Sequence, residues 1–131
     1  MISNYGPTQF PYLIQMKVFE DSRGILQTFD TSKLTFHIER IFSLTPMTEL
    51  TVRGGHAHKT CWQAIFPIFS KLKISGKNTI SEFEFVLNPG FALVVPPLNW
   101  IEIFFDQIES GAVVLCSHTY DSKDYIVAPP N

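Results

Sequence analysis

The chain has 131 residues, a length that suits one domain with a single hydrophobic core. Hydrophobic residues make up 45% of it and charged residues 17%, which excludes an intrinsically disordered chain. The formal net charge of −2 at pH 7 excludes general electrostatic attraction to nucleic acid or to an anionic membrane as its main activity.

Targeting signals and cysteines predict a location in the cell. No apolar run approaches the ~20 residues needed to span a membrane. Residues 1–5 lack the basic and apolar regions of a signal peptide, so we expect a cytoplasmic protein. In such a chain Cys61 and Cys116 are predicted to be reduced, buried thiols. They lack the CxxC spacing typical of a zinc site.

Short apolar runs separated by turn residues extend along the whole chain. Strands are predicted over residues 12–19, 25–29, 38–44, 50–52, 62–69, 71–74, 79–87, 91–95, 100–105 and 112–117. Turns are predicted over residues 20–24, 75–78, 88–90 and 121–124, and residues 30–33 form either one short helical turn or a loop. Residues 127–131 read as a tail.

The pattern within these runs predicts an all-β protein. No window of useful length has a helical period. In residues 79–87 the apolar side chains of Phe83, Phe85 and Leu87 share one face of the strand. Pro67 interrupts an apolar strand and indicates an edge or a bulge at that point. Many short strands with Gly, Pro and Asn turns are typical of a sandwich or barrel, here a single jelly-roll domain over residues 1–131.

One stretch, residues 52–63, concentrates the polar chemistry. His56 and His58 lie one residue apart, so in a strand they share a face and lie about 7 Å apart. Arg53 is out of phase with them, but a bulge at Gly54 and Gly55 re-aims it. Two imidazoles and a guanidinium in one cavity indicate chemistry on a small anionic molecule; a purely structural pair of histidines is the alternative.

A His-x-His pair in a jelly roll resembles the cupin superfamily. In metal-binding cupins a glutamate follows the pair, where this chain has Gln63, and a later strand adds a histidine, where it has Trp100 or Ile101. Two imidazoles without a carboxylate make a poor site for a divalent metal, so we predict no metal. Without a metal, imidazoles that titrate near neutrality suit acid–base catalysis.

A closer resemblance covers nearly the whole chain. It is carried by residues 21–26, 40–42, 53–59 with Gln63, 94–100 and 117–126. The combination of R-G-G-H-A-H-K with the later Y-D-S-K-D-Y-I resembles the dTDP-4-keto-6-deoxyhexose 3,4-ketoisomerases, the WxcM-like group of small cupins. The chain departs from this group at Phe42, where tyrosine is usual, and at Ser70, where glycine is usual.

The resemblance implies a cupin-type double-stranded β-helix and a defined reaction. The ketone of a dTDP-linked keto sugar moves from C4 to C3 through an enediol, in deoxysugar biosynthesis for surface polysaccharide. The electrons stay within the sugar, so no cofactor is implied. The group also implies a homodimer, as do edge strands and a phenylalanine-rich sheet.

The resemblance assigns roles to individual residues. His56 matches the base, and His58 either shuttles the second proton or holds the oxyanion. The substrate-binding candidates are Arg53, Arg23, Arg40, Gln63, Trp100 and Tyr120. Arg53 and Arg23 suit the diphosphate because guanidinium binds phosphate bidentately, and Arg23 is expected to reach a neighbouring subunit's site.

Each of these candidates has a structural alternative. Arg23 alternatively remains a solvated turn residue, Arg40 pairs with an acidic neighbour, and Gln63 only fills the cavity that a metal occupies in other cupins. A strand-end tyrosine such as Tyr125 is more often packing than a ligand contact. Three other functions stay open: a non-catalytic sugar-nucleotide-binding cupin, a 3,5-epimerase and a metal-dependent cupin.

Overall fold

The computed structural model describes residues 9–131; the predicted lack of a leader concerns residues 1–5, which lie outside that range. The strands are β1 Tyr12–Gln15, β2 Lys17–Asp21, β3 Gly24–Thr28, β4 Arg40–Leu44, β5 Thr51–His58, β6 Gln63–Ile68, β7 Leu72–Lys77, β8 Glu82–Leu87, β9 Phe91–Val95, β10 Trp100–Phe105, β11 Gly111–Cys116 and β12 Tyr125–Ile126. Two 3-10 turns, Thr31–Lys33 and Ser122–Asp124, are the only helical elements of the described part. Neither is of a length that could cross a membrane.

Two antiparallel sheets form the body of the molecule. The first has the order β1-β9-β6-β11-β4 and the second the order β12-β5-β10-β7-β8, while β2 and β3 pair with each other and with no other described strand. Neighbours in each sheet are mostly distant in sequence, as crossovers between two sheets require. This arrangement confirms the predicted all-β jelly roll.

The main core lies between the two sheets. Ile65 and Val114 of the first sheet and Ile74, Ile103 and Phe105 of the second are almost fully buried in one cluster. In β8 the predicted alternation is confirmed, because its phenylalanines pack against this cluster while its glutamates are exposed. Alternation along each strand therefore decides which side chains can reach the space between the sheets.

Some predicted boundaries are wrong. The turn predicted at residues 75–78 lies at residues 78–81. There the side-chain oxygen of Asn78 accepts hydrogen bonds from the backbone amides of Ile80 and Ser81. Gly76 is inside β7, opposite Ile101, and a Cβ there would lie 2.1 Å from the Trp100 carbonyl oxygen. This glycine serves close strand packing rather than a turn.

Pro67 lies within an internal strand, but at a place where no described strand pairs with it on one side. β6 pairs with β9 only as far as Ile65, whereas β11 continues opposite Pro67. The missing N–H of the proline therefore costs no ladder hydrogen bond on the β9 side. The predicted edge at this point is confirmed, since no described strand pairs with β6 on that side beyond Ile65, and the Pro67 carbonyl instead accepts from the Gln27 side chain.

The β2–β3 hairpin exposes apolar side chains. It follows β1 after Met16, whose buried side chain and amide hydrogen bond to the Gly90 carbonyl interrupt the strand predicted over residues 12–19. Phe19, Ile25 and Leu26 of the hairpin are 57%, 68% and 60% exposed. The hairpin thus presents an apolar surface outside the core.

Candidate active site

A bulge in β5 brings the arginine and the first histidine to one face. β10 pairs His56 with Ile101 but Gly54 with Glu102, so Gly55 is an extra residue in the ladder. Gly54 and Gly55 both have positive φ, 99° and 81°, which side chains other than glycine rarely tolerate. The extra residue changes the phase of the strand, and Arg53 and His56 line the same cavity. The bulge predicted from the glycine pair is confirmed.

The cavity lies between the sheets and has a volume of about 300 Å³. Its polar lining consists of Arg40, Arg53, His56, Gln63 and Tyr125. Its apolar lining comprises Phe42, Leu44, Ile65, Ile101, Ile103 and Val114. Among the described residues that line it, none is acidic. An apolar cavity with a few convergent polar groups is typical of a small-molecule site, and its two guanidinium groups favour an anion.

Three rings form a compact group at the polar side of the cavity. The ring centroid of Tyr125 is 4.6 Å from that of His56 and 4.5 Å from that of His58, and the two imidazoles are 5.2 Å apart. His56 and Tyr125 line the cavity, whereas His58 is 8% exposed and lies behind them. The two histidines are therefore not equivalent: only the first can touch a ligand directly in this arrangement.

Asp124 fixes the orientation of His58. Its Oδ2 atom is 3.0 Å from His58 Nδ1 and accepts a hydrogen bond from the Cys61 amide, while Oδ1 accepts from the amide and the hydroxyl of Thr60. An ionised carboxylate only accepts, so the proton of the neutral imidazole lies on Nδ1. Nε2 of His58 is then a buried acceptor, and the described residues give it no hydrogen-bond partner.

Burial and hydrogen bonding set the charge of these groups. Burial, and then the neighbouring His58, lower the pKa of His56, and a backbone hydrogen bond at Gly54 opposes this only in part. Burial raises the pKa of Asp124, but hydrogen bonds from Thr60, His58 and Cys61 outweigh it, so its pKa lies below the ordinary value. At neutral pH His56 is therefore a neutral base and Asp124 an anion.

The cavity mouth combines cations with aromatic rings. The guanidinium of Arg40 lies 4.7 Å from the Phe42 ring centroid and 5.4 Å from that of Tyr120. Tyr120 is 63% exposed and its ring is 5.8 Å from that of Tyr125. Arg40 thus stacks on rings instead of pairing with Glu39 or Asp30. Stacking holds its guanidinium in place for an anionic group.

Two of the predicted binding residues are not brought to this cavity. Trp100 lies on the outer face of the second sheet, where its indole N–H donates to the Val127 carbonyl at 2.9 Å. Arg23 is at the tip of the β2–β3 hairpin, where its guanidinium pairs with Asp21 at 2.6 Å. Their predicted contacts with a ligand are not made from within this chain at the cavity of His56.

Metal-ligating atoms do cluster behind the cavity. Ligand atoms of His58, Cys61 and Asp124 all lie within 4.8 Å of one another. Both oxygens of Asp124 already accept two hydrogen bonds each, which leaves the carboxylate poorly suited to a cation. In the cavity itself, Gln63 is neutral and His56 is the lone imidazole among the described lining residues. This donor set does not fit the divalent metal that other cupins hold.

The cysteines are buried and unpaired, as predicted. They lie next to each other, since a hydrogen bond from Cys116 lowers the pKa of the Cys61 thiol, against the effect of burial. Cys116 also accepts a weak hydrogen bond from the Gln63 amide, 3.9 Å from its sulfur. The side chain of Gln63 is thereby directed along the wall of the cavity.

Two residues of this site were not among the predicted site residues. Asp124 ends the second 3-10 turn and Tyr125 begins β12, which pairs antiparallel with β5 so that Tyr125 lies opposite His58. The sequence signal was the Asp-Tyr-Ile run that closes the motif of residues 120–126, an acid followed by two largely apolar residues. Nothing in local periodicity indicated that this short run pairs with the histidine strand 66 residues earlier.

An antiparallel jelly roll with a histidine-lined cavity between its sheets is a cupin-type double-stranded β-helix. The chain matches the family described as FdtA: WxcM-like, C-terminal, over residues 10–129. It belongs to this WxcM-like family, which confirms the resemblance seen in the sequence.

The chain aligns over most of its length with relatives of named activity. It is 30% identical over 117 residues to the TDP-4-oxo-6-deoxy-alpha-D-glucose-3,4-oxoisomerase of Aneurinibacillus thermoaerophilus, covering 87% of this chain and 84% of that enzyme. The crystal structure of the sugar 3,4-ketoisomerase QdtA of Thermoanaerobacterium thermosaccharolyticum with TDP superposes with a TM-score of 0.82 at 31% identity, covering 90% and 88% of the two chains. A histidine-to-asparagine variant of QdtA with TDP-4-keto-6-deoxyglucose superposes equally well, with a TM-score of 0.82 at 29% identity over 98% and 90% of the chains.

Proposed function

We propose that this protein is a sugar-nucleotide 3,4-ketoisomerase that moves the ketone of a dTDP-4-keto-6-deoxyhexose from C4 to C3. The observation that carries the proposal is the cavity, where a neutral histidine and two guanidinium groups converge without an acidic lining residue in the described chain. The oxoisomerase that is 30% identical to this chain is named for a TDP-linked keto sugar, and the QdtA variant that is 29% identical binds one. A cavity of about 300 Å³ suits the sugar, with the diphosphate toward the mouth.

His56 is the base of the proposed mechanism. The C4 ketone acidifies the proton at C3, and a neutral imidazole that lines the cavity can remove it to form the enediol. The lowered pKa of His56 keeps it unprotonated at neutral pH, ready for this step. The same imidazole, once protonated, returns a proton to the sugar at C4. No redox cofactor takes part, because the electrons stay within the sugar.

His58 supports this chemistry from behind the cavity. Its Nδ1 donates to the Asp124 carboxylate, so Nε2 is the atom of His58 that would take up a second proton. Because His58 also lowers the pKa of His56, it tunes the base. We therefore propose that His58 acts as a proton reserve or holds developing charge, while His56 makes the contact with carbon.

Arginine side chains bind the nucleotide in this proposal. Arg53 and Arg40 provide the charge for the diphosphate, since guanidinium matches phosphate oxygens bidentately. Gln63 offers an amide to a sugar hydroxyl, and Tyr120 extends the aromatic surface at the mouth toward the base. Trp100 has no such role in the present arrangement, because it faces away from the cavity.

A homodimer is part of the proposal. The exposed apolar side chains of the β2–β3 hairpin, Val18, Phe19, Ile25 and Leu26, need a partner surface. A second copy would cover them by a two-fold contact, and the hairpin would carry Arg23 toward the neighbouring subunit's site. Buried free thiols fit a reducing compartment, so we propose a cytoplasmic enzyme of deoxysugar biosynthesis for surface polysaccharide.

Incubation with dTDP-4-keto-6-deoxyglucose in deuterated water, followed by NMR of the sugar, tests the activity. A 3-keto product that carries deuterium at C4 is expected. Exchange at C5 would instead indicate a 3,5-epimerase, and dTDP binding without any turnover would indicate a binding protein. His56→Asn, which keeps polarity but is not a base near neutral pH, should abolish exchange and product formation together.

A further inference from the structure

The proposed isomerisation moves two kinds of proton. One leaves carbon C3 and one arrives at carbon C4; in addition, O3 loses its proton and O4 gains one. His56 can serve both carbons in turn, because it lines the cavity and a neutral imidazole can take up a proton and release it again. A second group is needed for the transfer between the oxygens.

The oxygen transfer decides which product forms. Removal of the C3 proton places negative charge on O4, and an enolate with its charge on O4 is protonated again at C3. The carbon C4 becomes the basic position only when O4 carries a proton and O3 carries the charge. Without a group that moves the proton from O3 to O4, the enediolate returns to substrate.

Tyr125 has the chemistry and the position for this transfer. Among the described residues that line the cavity it alone carries a hydroxyl, which can both donate and accept a proton. Its ring is 4.6 Å from that of His56, so the two side chains can serve adjacent atoms of one bound sugar. The other aromatic lining residue, Phe42, has no hydroxyl.

The remaining polar lining residues do not suit this step. Arg40 and Arg53 stay protonated and offer no acceptor, and the Gln63 amide neither gains nor loses a proton near neutrality. His58 is buried behind the cavity and does not line it. Pairing of Tyr125 with His58 across β12 and β5, next to the anchored Asp124, holds the phenol ring in place.

We propose that the Tyr125 hydroxyl is a second catalytic group that carries the proton from O3 to O4. This inference rests on the proposed function. Tyr125 donates its proton to O4 as His56 removes the proton from C3. The resulting phenolate takes the proton of O3, which restores the phenol, and protonated His56 then delivers its proton to C4. Every proton and electron is accounted for without an added reagent.

Tyr125→Phe tests the assignment, because it removes the hydroxyl and keeps the ring that packs on both histidines. With dTDP-4-keto-6-deoxyglucose in deuterated water, two rates are measured: deuterium exchange at C3 of the recovered substrate and formation of the 3-keto product. Product formation should fall by about 10²–10⁴. Exchange should fall less, so the ratio of exchange to product should rise at least about tenfold. A blank without enzyme corrects for spontaneous exchange.

The matched control is Tyr12→Phe, which removes a hydroxyl from β1 at the edge of the other sheet. Both rates should stay at the parental level. If the parent turns over the sugar and Tyr125→Phe keeps the parental ratio of exchange to product formation, Tyr125 does not carry the proton, and the isomerase assignment still stands. If both rates also fall by one common factor, Tyr125 is a packing residue. A parent that binds dTDP without turnover would overturn the proposed function itself.

Discussion

Replacement of Asp124 by asparagine separates the role of its charge from that of its shape. The carboxylate accepts four hydrogen bonds, two on each oxygen, from Thr60, Cys61 and His58. An asparagine keeps one oxygen and turns the other into a donor. In the orientation that faces His58 with its NH2 group, His58 Nδ1 must become an acceptor, which moves the imidazole proton to Nε2.

The contacts set the expected magnitude for stability. In that orientation the hydrogen bond from the Cys61 amide is lost and the remaining three no longer involve a charged acceptor, which together should lower the free energy of unfolding by about 3 kcal/mol. For a chain of this length that corresponds to a fall in Tm of about 10 °C. Since the folded-state pKa of Asp124 is depressed, this contribution is present above the ordinary pKa of an aspartate and is lost as the pH falls through the lowered value. The variant should therefore differ from the parent at neutral pH and approach it in acid.

The expected loss of turnover is about 10²–10³, the range of a mispositioned acid–base group. Thermal unfolding, the rate of 3-keto sugar formation and the ring nitrogen shifts of His58 by NMR measure the three effects. Asp30→Asn is the control, because that carboxylate accepts two hydrogen bonds from Ser32 in a remote turn. Parental turnover at 25 °C in a variant with the lowered Tm would refute the argument that Asp124 acts through the His58 tautomer.

Three further outcomes are expected. Arg53→Ala should weaken dTDP binding, measured by calorimetry, by about 1.5–3 kcal/mol without unfolding the protein, whereas unchanged affinity would remove Arg53 from the phosphate site. On the acidic side, kcat/KM should rise with pH to a plateau. The midpoint of this rise should lie below the ordinary pKa of histidine, because the pKa of His56 is lowered. A midpoint above the ordinary pKa of histidine would contradict a neutral His56 base. Gly76→Ala should cost about 3 kcal/mol or more in chemical denaturation because its Cβ meets a backbone oxygen, and Gly111→Ala, with its nearest neighbour at 3.4 Å, should cost clearly less.

The fold and the cavity side of β5 could be predicted because their signals are local. Alternation in residues 79–87 and the glycine pair before His56 each act through the backbone of the residues that carry them. The bulge is the clearest case: positive φ at two successive glycines changes the phase of the strand, and this alone places Arg53 beside His56. Two successive glycines before a histidine strand can therefore be recognised as a bulge from the sequence alone.

The rest depends on contacts between distant segments. Gly76 looked like a turn residue, but the carbonyl of Trp100 is what requires a glycine there, and no local pattern reveals that approach. The resemblance indicated Trp100 as a binding residue, while the phase of β10 turns its indole to the outer face. Asp124 and Tyr125 reach the histidines only because β12 pairs with β5, a non-local choice that a two-residue strand does not encode in its own composition.

The attachment of that last strand has a consequence for heat resistance. β12 is held by two paired residues, by the hydrogen bonds of Asp124, by the indole of Trp100 on Val127 and by a small apolar cluster around Ile126. The rest of the two sheets is held by the much larger apolar cluster between them. Segments with few buried contacts open at lower free energy than the core. On warming, the segment that carries Tyr125 should therefore detach while both sheets remain folded. Activity would then disappear, reversibly, below the temperature at which the two sheets unfold. The temperature range in which the protein is active is therefore set by the attachment of β12 and not by the core.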